Sequence, residues 1–287
     1  MRGVLRVGAL IGAALLVAGA AFAQTADFTI PDGWTVSTAN KSKPGEAGYR
    51  IEHKDSGLEL VYVLPGKSKM GTLKGRPDEM PVFDAEVAGF WIGRTEVTVG
   101  QWRKVMGKVA WPPANTEGDN HPIVMVMWNE CKAFCDKLGL RLPGEIEWEY
   151  AARGPENRVY PWGNDFDARA LLWPMTRFMF GDSHTAPVGS FPKGISWCGA
   201  LDMAGNVREW CADLYDPDVC QRYATGDLKP PEYGSRRVVR GGSWFGGNER
   251  VFRGYARAFR APEDRTDDLG FRIAKSVAAT PADAPAP

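Results

Sequence analysis

Between Gly199 and Trp210 the chain reads Gly-Ala-Leu-Asp-Met-Ala-Gly-Asn-Val-Arg-Glu-Trp, which crowds the oxygen donors Asp202, Asn206 and Glu209 into one short stretch. Gly205 stands among them with a backbone free to take positive φ. Carboxylate, amide and carbonyl oxygens around a sharp glycine turn suit a hard cation such as calcium. The same residues also make an Asx-type turn whose side chains are satisfied by hydrogen bonds. A second motif, Arg240-Gly241-Gly242-Ser243-Trp244, follows, and beyond it lie Asn248, Glu249, Arg253, Glu263 and Asp268. If these converge on one cleft, Ser243, Glu249 and Glu263 are the candidates for catalysis, with the carboxylates as general acid or base. Trp244, Asn248, Arg253 and Asp268 would then contact the substrate, the arginine holding an anionic group. Surface ion pairs among Glu249, Arg250, Arg253 and Glu263 on a long loop account for the same pattern equally well.

The elements that must position these residues are short. Of 287 residues 44% are hydrophobic, enough for a sizeable core. Lys+Arg and Asp+Glu are both 35, so no charge bias points to nucleic acid or to an anionic membrane. Eleven Trp and 33 Gly in a chain with little helical periodicity indicate a loop-rich domain in which aromatic side chains supply the packing area. Tyr49–Val63 alternates around Asp55-Ser56-Gly57 and predicts a hairpin. Phe90–Gly93 and Ile123–Met127 are apolar runs of strand length. Thr98 predicts an N-cap for a helix that stops at Gly107, and Asn129 one for a helix to Leu138 closed by Gly139. In the latter Cys131, Phe134, Cys135 and Leu138 fall on one face, so both thiols are expected in the core. Glu145–Ala152 predicts a third helix whose first turn carries Glu145, Glu147 and Glu149 as capping, solvated charges. Beyond Gly154 no helix of any length is expected.

The ends read differently. Arg2, Arg6, the apolar run Val7–Ala20 and Ala21-Phe22-Ala23 make residues 1–23 a cleavable secretory signal, implying export to a bacterial periplasm and no membrane span after cleavage. Residues 24–48 read as a flexible lead-in, 49–275 as the domain, and 276–287 as a disordered Ala/Pro-rich tail. Export permits disulfides, and the five cysteines leave at least one without an intrachain partner.

Taken in order, Gly93-Arg-Thr-Glu-Val-Thr98, Arg141-Leu-Pro-Gly-Glu-Ile-Glu-Trp-Glu-Tyr-Ala-Ala-Arg-Gly154, Tyr160-Pro-Trp-Gly-Asn164, Leu201–Trp210, Val239–Trp244 and Leu269-Gly-Phe-Arg272 resemble the sulfatase-modifying-factor domain of formylglycine-generating enzymes. The resemblance implies a single loop-rich α+β domain, similar to a C-type lectin, with little regular secondary structure. It implies a structural calcium held by Asp202 and Glu209 side chains with Met203, Gly205 and Val207 along the backbone. A second family calcium site expects Asn where Leu171 stands, and a family disulfide from Cys135 expects Cys where Ile273 stands. The family's copper-dependent members oxidise a substrate cysteine with two cysteines placed three and eight residues past the Gly-Gly-Ser serine. Here those positions are Gly246 and Val251, which cannot supply the thiolates that copper(I) favours. His53, His121 and His184 lack the spacing for a non-haem iron site, so any redox metal is unspecified. Two functions follow from the resemblance. One is an exported, divergent oxidoreductase or maturation factor acting on a periplasmic peptide, protein or peptide-derived substrate. The other is a non-catalytic peptide- or protein-binding module on the same scaffold.

Overall fold

The computed structural model describes residues 30–108, 118–176, 179 and 184–277. Residues 1–23, read as a signal, and most of the 276–287 tail lie outside them.

A five-stranded antiparallel sheet carries the N-terminal half. Its order is β1 (Trp34–Val36), β2 (Arg50–His53), β3 (Glu59–Val63), β6 (Phe90–Gly93) and β11 (Ala274–Ser276). The Asp-Ser-Gly turn sets the hairpin register, Arg50 opposite Val61 and Ile51 opposite Leu60, as the alternation predicts. Successive side chains on a strand face opposite ways. In β3, Leu60 and Tyr62 join one core while Val61 and Val63 join another. The sheet therefore separates two cores, and its central strands are buried on both faces. The first core lies against α1 (Val99–Met106) and α2 (Trp128–Lys137). There Trp102 and Phe134 stack at 5.5 Å between ring centres and Phe271 meets both edge-on, geometries that add to the area they bury.

The second core holds α3 (Glu145–Arg153), α4 (Val219–Ala224), the hairpin of β4 (Gly66–Met70) and β5 (Phe83–Val87), and a four-stranded sheet. That sheet is ordered β10 (Leu269–Gly270), β7 (Arg208–Leu214), β8 (Arg237–Arg240), β9 (Ala258–Arg260), with β10 and β7 parallel. Long irregular connections join the elements.

Helix starts follow local chemistry with one shift. Thr98 Oγ1 accepts from Gln101 N (3.2 Å) while Gln101 Oε1 accepts from Thr98 N (3.0 Å), a reciprocal cap, and Gly107 at φ 86° ends α1. At α2 the polar Asn129 is not the cap. Glu130 Oε2 accepts from Met127 N (2.9 Å), so Met127 is the cap, the helix begins two residues earlier and Asn129 sits in its first turn.

Four further expectations are corrected. Ile123, Val124 and Val126 are buried, but the run Ile123–Met127 makes no strand, because Met125 takes φ 59° and its N–H bonds to the Thr266 carbonyl of a loop. The lead-in is not uniformly irregular: β1 pairs with β2 and buries Trp34. The tail's first residue, Ser276, ends a strand paired with β6. Past Gly154, α4 forms one short helix whose Val219, Cys220 and Tyr223 are buried.

The first turn of α3 departs most from expectation. Glu147 is partly exposed and pairs with Arg141, but Glu145 and Glu149 are buried. Nearby Asp213 is buried too, and its carboxylate accepts from Glu145 N at 2.6 Å. Burial, with the negative charges of Glu145 and Glu147 added, pushes Asp213 up to about 6. A carboxyl raised in the fold binds a proton there that the unfolded chain has released, so stability falls as pH rises from about 4 to 6. Asp213→Asn keeps the acceptor for Glu145 N and removes that loss. The substitution is expected to raise stability at pH 7 by up to about 3 kcal/mol and to change it little at pH 4. Urea denaturation at both pH values checks this, and equal destabilisation at both would show that the charge does not act in this way.

Candidate functional site

A cavity of about 710 Å³ opens where three segments meet: Lys74–Glu79 after β4, the Gly241-Gly242 turn after β8, and the 3₁₀ turn Glu249–Phe252 that leads to β9. Lys74, Arg76, Glu79, Arg208, Asn248, Arg250, Val251, Arg253 and Tyr255 line it, with Arg240 and Arg257 behind. Gly241 and Gly242 take φ of 91° and 69°, a conformation that glycine adopts without strain. At Gly242 a Cβ would also lie 2.7 Å from the Phe252 ring, so the turn can approach the 3₁₀ segment only as glycine. Asn248 Oδ1 accepts from Arg250 N (2.9 Å) and caps that segment.

The back wall is a buried ionic network. Arg257 clamps Glu145 with two bonds of 2.7 and 2.9 Å, and Arg240 and Arg153 both bond Glu149. Gly71 N donates to Glu149 as well (2.8 Å). Burial alone would raise the Glu149 carboxyl, but Arg240, Arg153 and the Gly71 N–H together hold it below the usual carboxylate range. On the other side, Arg208 bonds Asp268, which accepts from Ser243 Oγ at 2.8 Å. Burial lowers the Arg208 guanidinium from its ordinary value, with Asp268 opposing and Arg260 adding to the shift.

The structure divides the residues singled out in the sequence. Asn248 and Arg253 line the cavity. Ser243 and Asp268 are buried and do not line the cavity; Asp268 holds Arg208 on its wall and accepts from Ser243 behind it. Trp244 does not line this cavity. It packs with Leu172, Ala186 and Phe191 and stacks on His184 at 4.5 Å. Glu249 is exposed, 4.0 Å from Arg253, and Glu263 is exposed; neither lines the cavity, so the proposed acid–base set of Ser243, Glu249 and Glu263 does not assemble. Lys74, Arg76, Tyr255 and Arg257 carry no local motif, and Arg208 lies in one of the quoted motifs without being singled out there as a site residue. Arg76 reaches the Arg257 carbonyl across 181 residues, a contact that no spacing announces.

The proposed cation loop is also rearranged. Asp202, Gly205 and Asn206 all take positive φ, as a tight oxygen-lined turn requires. Glu209, however, is fully buried and committed: Arg272 Nε and Nη2 donate to its two oxygens (2.5 and 2.6 Å) and Trp148 Nε1 adds a third bond (2.7 Å). It is a member of a core ion pair before it is a ligand. Asp202 Oδ2 accepts from Gly189 N (2.6 Å), and both oxygens of buried Glu96 lack a hydrogen-bond partner. Three carboxylates, Glu96, Asp202 and Glu209, thus face one guanidinium. Burial first, then the charges of Asp202 and Glu209, pushes Glu96 well up. Burial raises Asp202 as well, so both carboxyls favour their neutral forms here. Glu209, committed to Arg272 and Trp148, does not fit as a free ligand. Among the described residues no group of three His, Cys, Asp or Glu side chains is set to hold a metal ion.

All five cysteines are buried and unpaired by disulfides, and none lines the cavity. Burial raises every one of the thiols, Cys135 and Cys220 to about 12. None offers a thiolate at neutral pH.

Two layered cores around a paired set of sheets, joined by long loops, define a loop-rich α+β domain of the C-type-lectin-like class. The chain belongs to the sulfatase-modifying factor enzyme 1-like domain family, whose profile matches residues 48–277. It is 36% identical over 234 residues to a formylglycine-generating enzyme of Streptomyces coelicolor, covering 77% of this chain and 68% of that one. It is 39% identical over 168 residues to the inactive C-alpha-formylglycine-generating enzyme 2 of Mus musculus, covering 54% and 49%. Among solved structures, PvdO from Pseudomonas aeruginosa superposes with a TM-score of 0.68 at 28% identity, over 82% of this chain and all of that one.

The geometry bears on the two positions where the resemblance places copper-binding cysteines. A Cβ added at Gly246 would meet the Phe252 ring at 2.7 Å and Val251 Cγ2 at 2.9 Å. Phe252 is fully buried and has no room to yield. The double variant Gly246→Cys/Val251→Cys is therefore expected to lose about 1–3 kcal/mol from overpacking and to bind no stoichiometric copper(I). Thermal melts with a copper titration check this; tight one-to-one copper binding at wild-type stability would contradict it.

Proposed function

We propose that the protein is a divergent family member that recognises a peptide or peptide-derived substrate in the cavity beside Arg208 and acts on it as an oxidoreductase or maturation factor. The formylglycine chemistry of copper-binding cysteines is not part of this reading. The observation that carries it is the cavity itself. It occupies the family's motif-bearing face, between the Gly-Gly-Ser turn and the segment where the cysteines would stand, yet it is walled by arginine, lysine, asparagine and tyrosine. Its volume lies within the range of small-ligand sites. The signal-like segment at residues 1–23 supports a periplasmic setting, and among the described residues no helix is long and apolar enough to cross a membrane.

A second reading, a non-catalytic binding module, is favoured by the raised thiols and by the lack of any histidine or cysteine in the cavity wall. Metal analysis of the purified protein, with oxygen-uptake assays on thiol peptides and on catechol- and phenol-type compounds, separates the two. Substrate-dependent uptake is expected for the first reading. A peptide that binds with no turnover under any of these conditions supports the second and overturns the first.

A structural calcium on the Asp202 loop is part of the proposal, supported by the positive φ of Asp202, Gly205 and Asn206, which draws side-chain and backbone oxygens into one tight turn. Ligand binding to the folded state alone stabilises it by mass action. Calcium at a hundredfold excess over its dissociation constant is thus expected to add about 2.7 kcal/mol, and Asp202→Ala to abolish the gain. A wild-type melting temperature unmoved by chelator would remove calcium from this account.

A further inference from the structure

We infer that the cavity selects an acidic peptide segment, a ligand bearing spaced carboxylates. This rests on the reading of the cavity as the peptide site and adds its charge preference. Seven cationic side chains line the space and Glu79 is the one carboxylate among them. Most of these cations are already matched. Arg240 and Arg257 face Glu145 and Glu149, Arg208 is paired with Asp268, and Arg76 with Asp78. Matched pairs contribute little net field. Lys74 and Arg250 differ: both are exposed, and neither makes an ion pair among the described residues. Arg253 is matched only loosely, with Glu249 at 4.0 Å. The cavity therefore carries surplus positive charge at its rim, over a floor of cations whose counter-charges lie behind it.

Three features favour a peptide over a single small oxyanion. The volume of about 710 Å³ far exceeds the space an oxyanion fills. The surplus cations come from separate segments, Lys74 before the Pro77–Glu79 turn and Arg250 within Glu249–Phe252, so they suit charges spaced along a chain. Val239, Val251, Ala256 and Ala258 add apolar wall between them for aliphatic stems. A basic peptide would meet Lys74 and Arg250 as like charges and lose affinity on that account.

Calorimetric titration with three capped pentapeptides tests this: one with two glutamates spaced by glycine, and its lysine and glutamine counterparts. The glutamate peptide is expected to bind saturably and to weaken as salt rises, since rim charges are screened. Lys74→Glu/Arg250→Glu, two exposed changes that leave the buried network intact, is expected to weaken it at least tenfold with an unchanged melting temperature. Equal affinity for the lysine or glutamine peptide, or no effect of the double reversal, overturns the inference. Inorganic phosphate binding as tightly as the glutamate peptide overturns it in favour of a simple oxyanion site. If all three peptides bind alike and Ala256→Trp, which fills the cavity, abolishes binding, the peptide site stands and only its charge preference falls. Binding of none of the three removes both.

Discussion

The buried pair of Glu209 and Arg272 is the constraint on which the rest of this structure depends. Both side chains are 0% exposed. Arg272 uses its remaining donors on the carbonyls of Gly93 and Leu201, and Glu209 takes the indole N–H of Trp148. One guanidinium thus ties the end of β6, the loop before β7, and the chain between β10 and β11, while its partner reaches α3. Burial disfavours the charged arginine, yet Glu209, with Glu96 and Asp202 beyond it, holds its pKa above the ordinary value. Breaking such a pair from one side leaves an uncompensated buried charge, which costs about 3–5 kcal/mol. Replacing both partners by apolar groups can be neutral, so the pair's value here lies in fixing which loops meet.

A second network repeats this logic one layer out. Glu145 and Glu149 stand one helical turn apart on α3 and face Arg153, Arg240 and Arg257, which arrive from α3 itself, β8 and the loop that leads into β9. The first network sets where the sheets and α3 lie. The second uses α3 to hold the arginines that form the back of the cavity. Loops on a scaffold held so rigidly can vary in chemistry while keeping their places, and binding residues accumulate on such loops. Phe252 packs against both Gly242 and Gly246 and holds the 3₁₀ segment against the Gly-Gly turn.

What the sequence by itself determined is local. The Asp-Ser-Gly turn, the Thr98–Gln101 cap, the glycine stops at Gly107 and Gly139, and the apolar face of Cys131, Phe134 and Cys135 each express an interaction within a few residues, and each forms as read. The six ordered motifs likewise carried the family and its α+β fold. What only the tertiary structure decided is which charges meet. Glu209 finds Arg272 across 63 residues, Arg240 finds Glu149 across 91, and Arg257 finds Glu145 across 112. Electrostatic energy depends on distance and burial in space, which spacing along a loop-rich chain does not encode. For that reason Glu145 and Glu149 read as solvated helix caps and Trp244 as a cleft wall until packing buried all three, and the two motifs that border the cavity gave no sign that Lys74, Arg76 and Arg257 would join them.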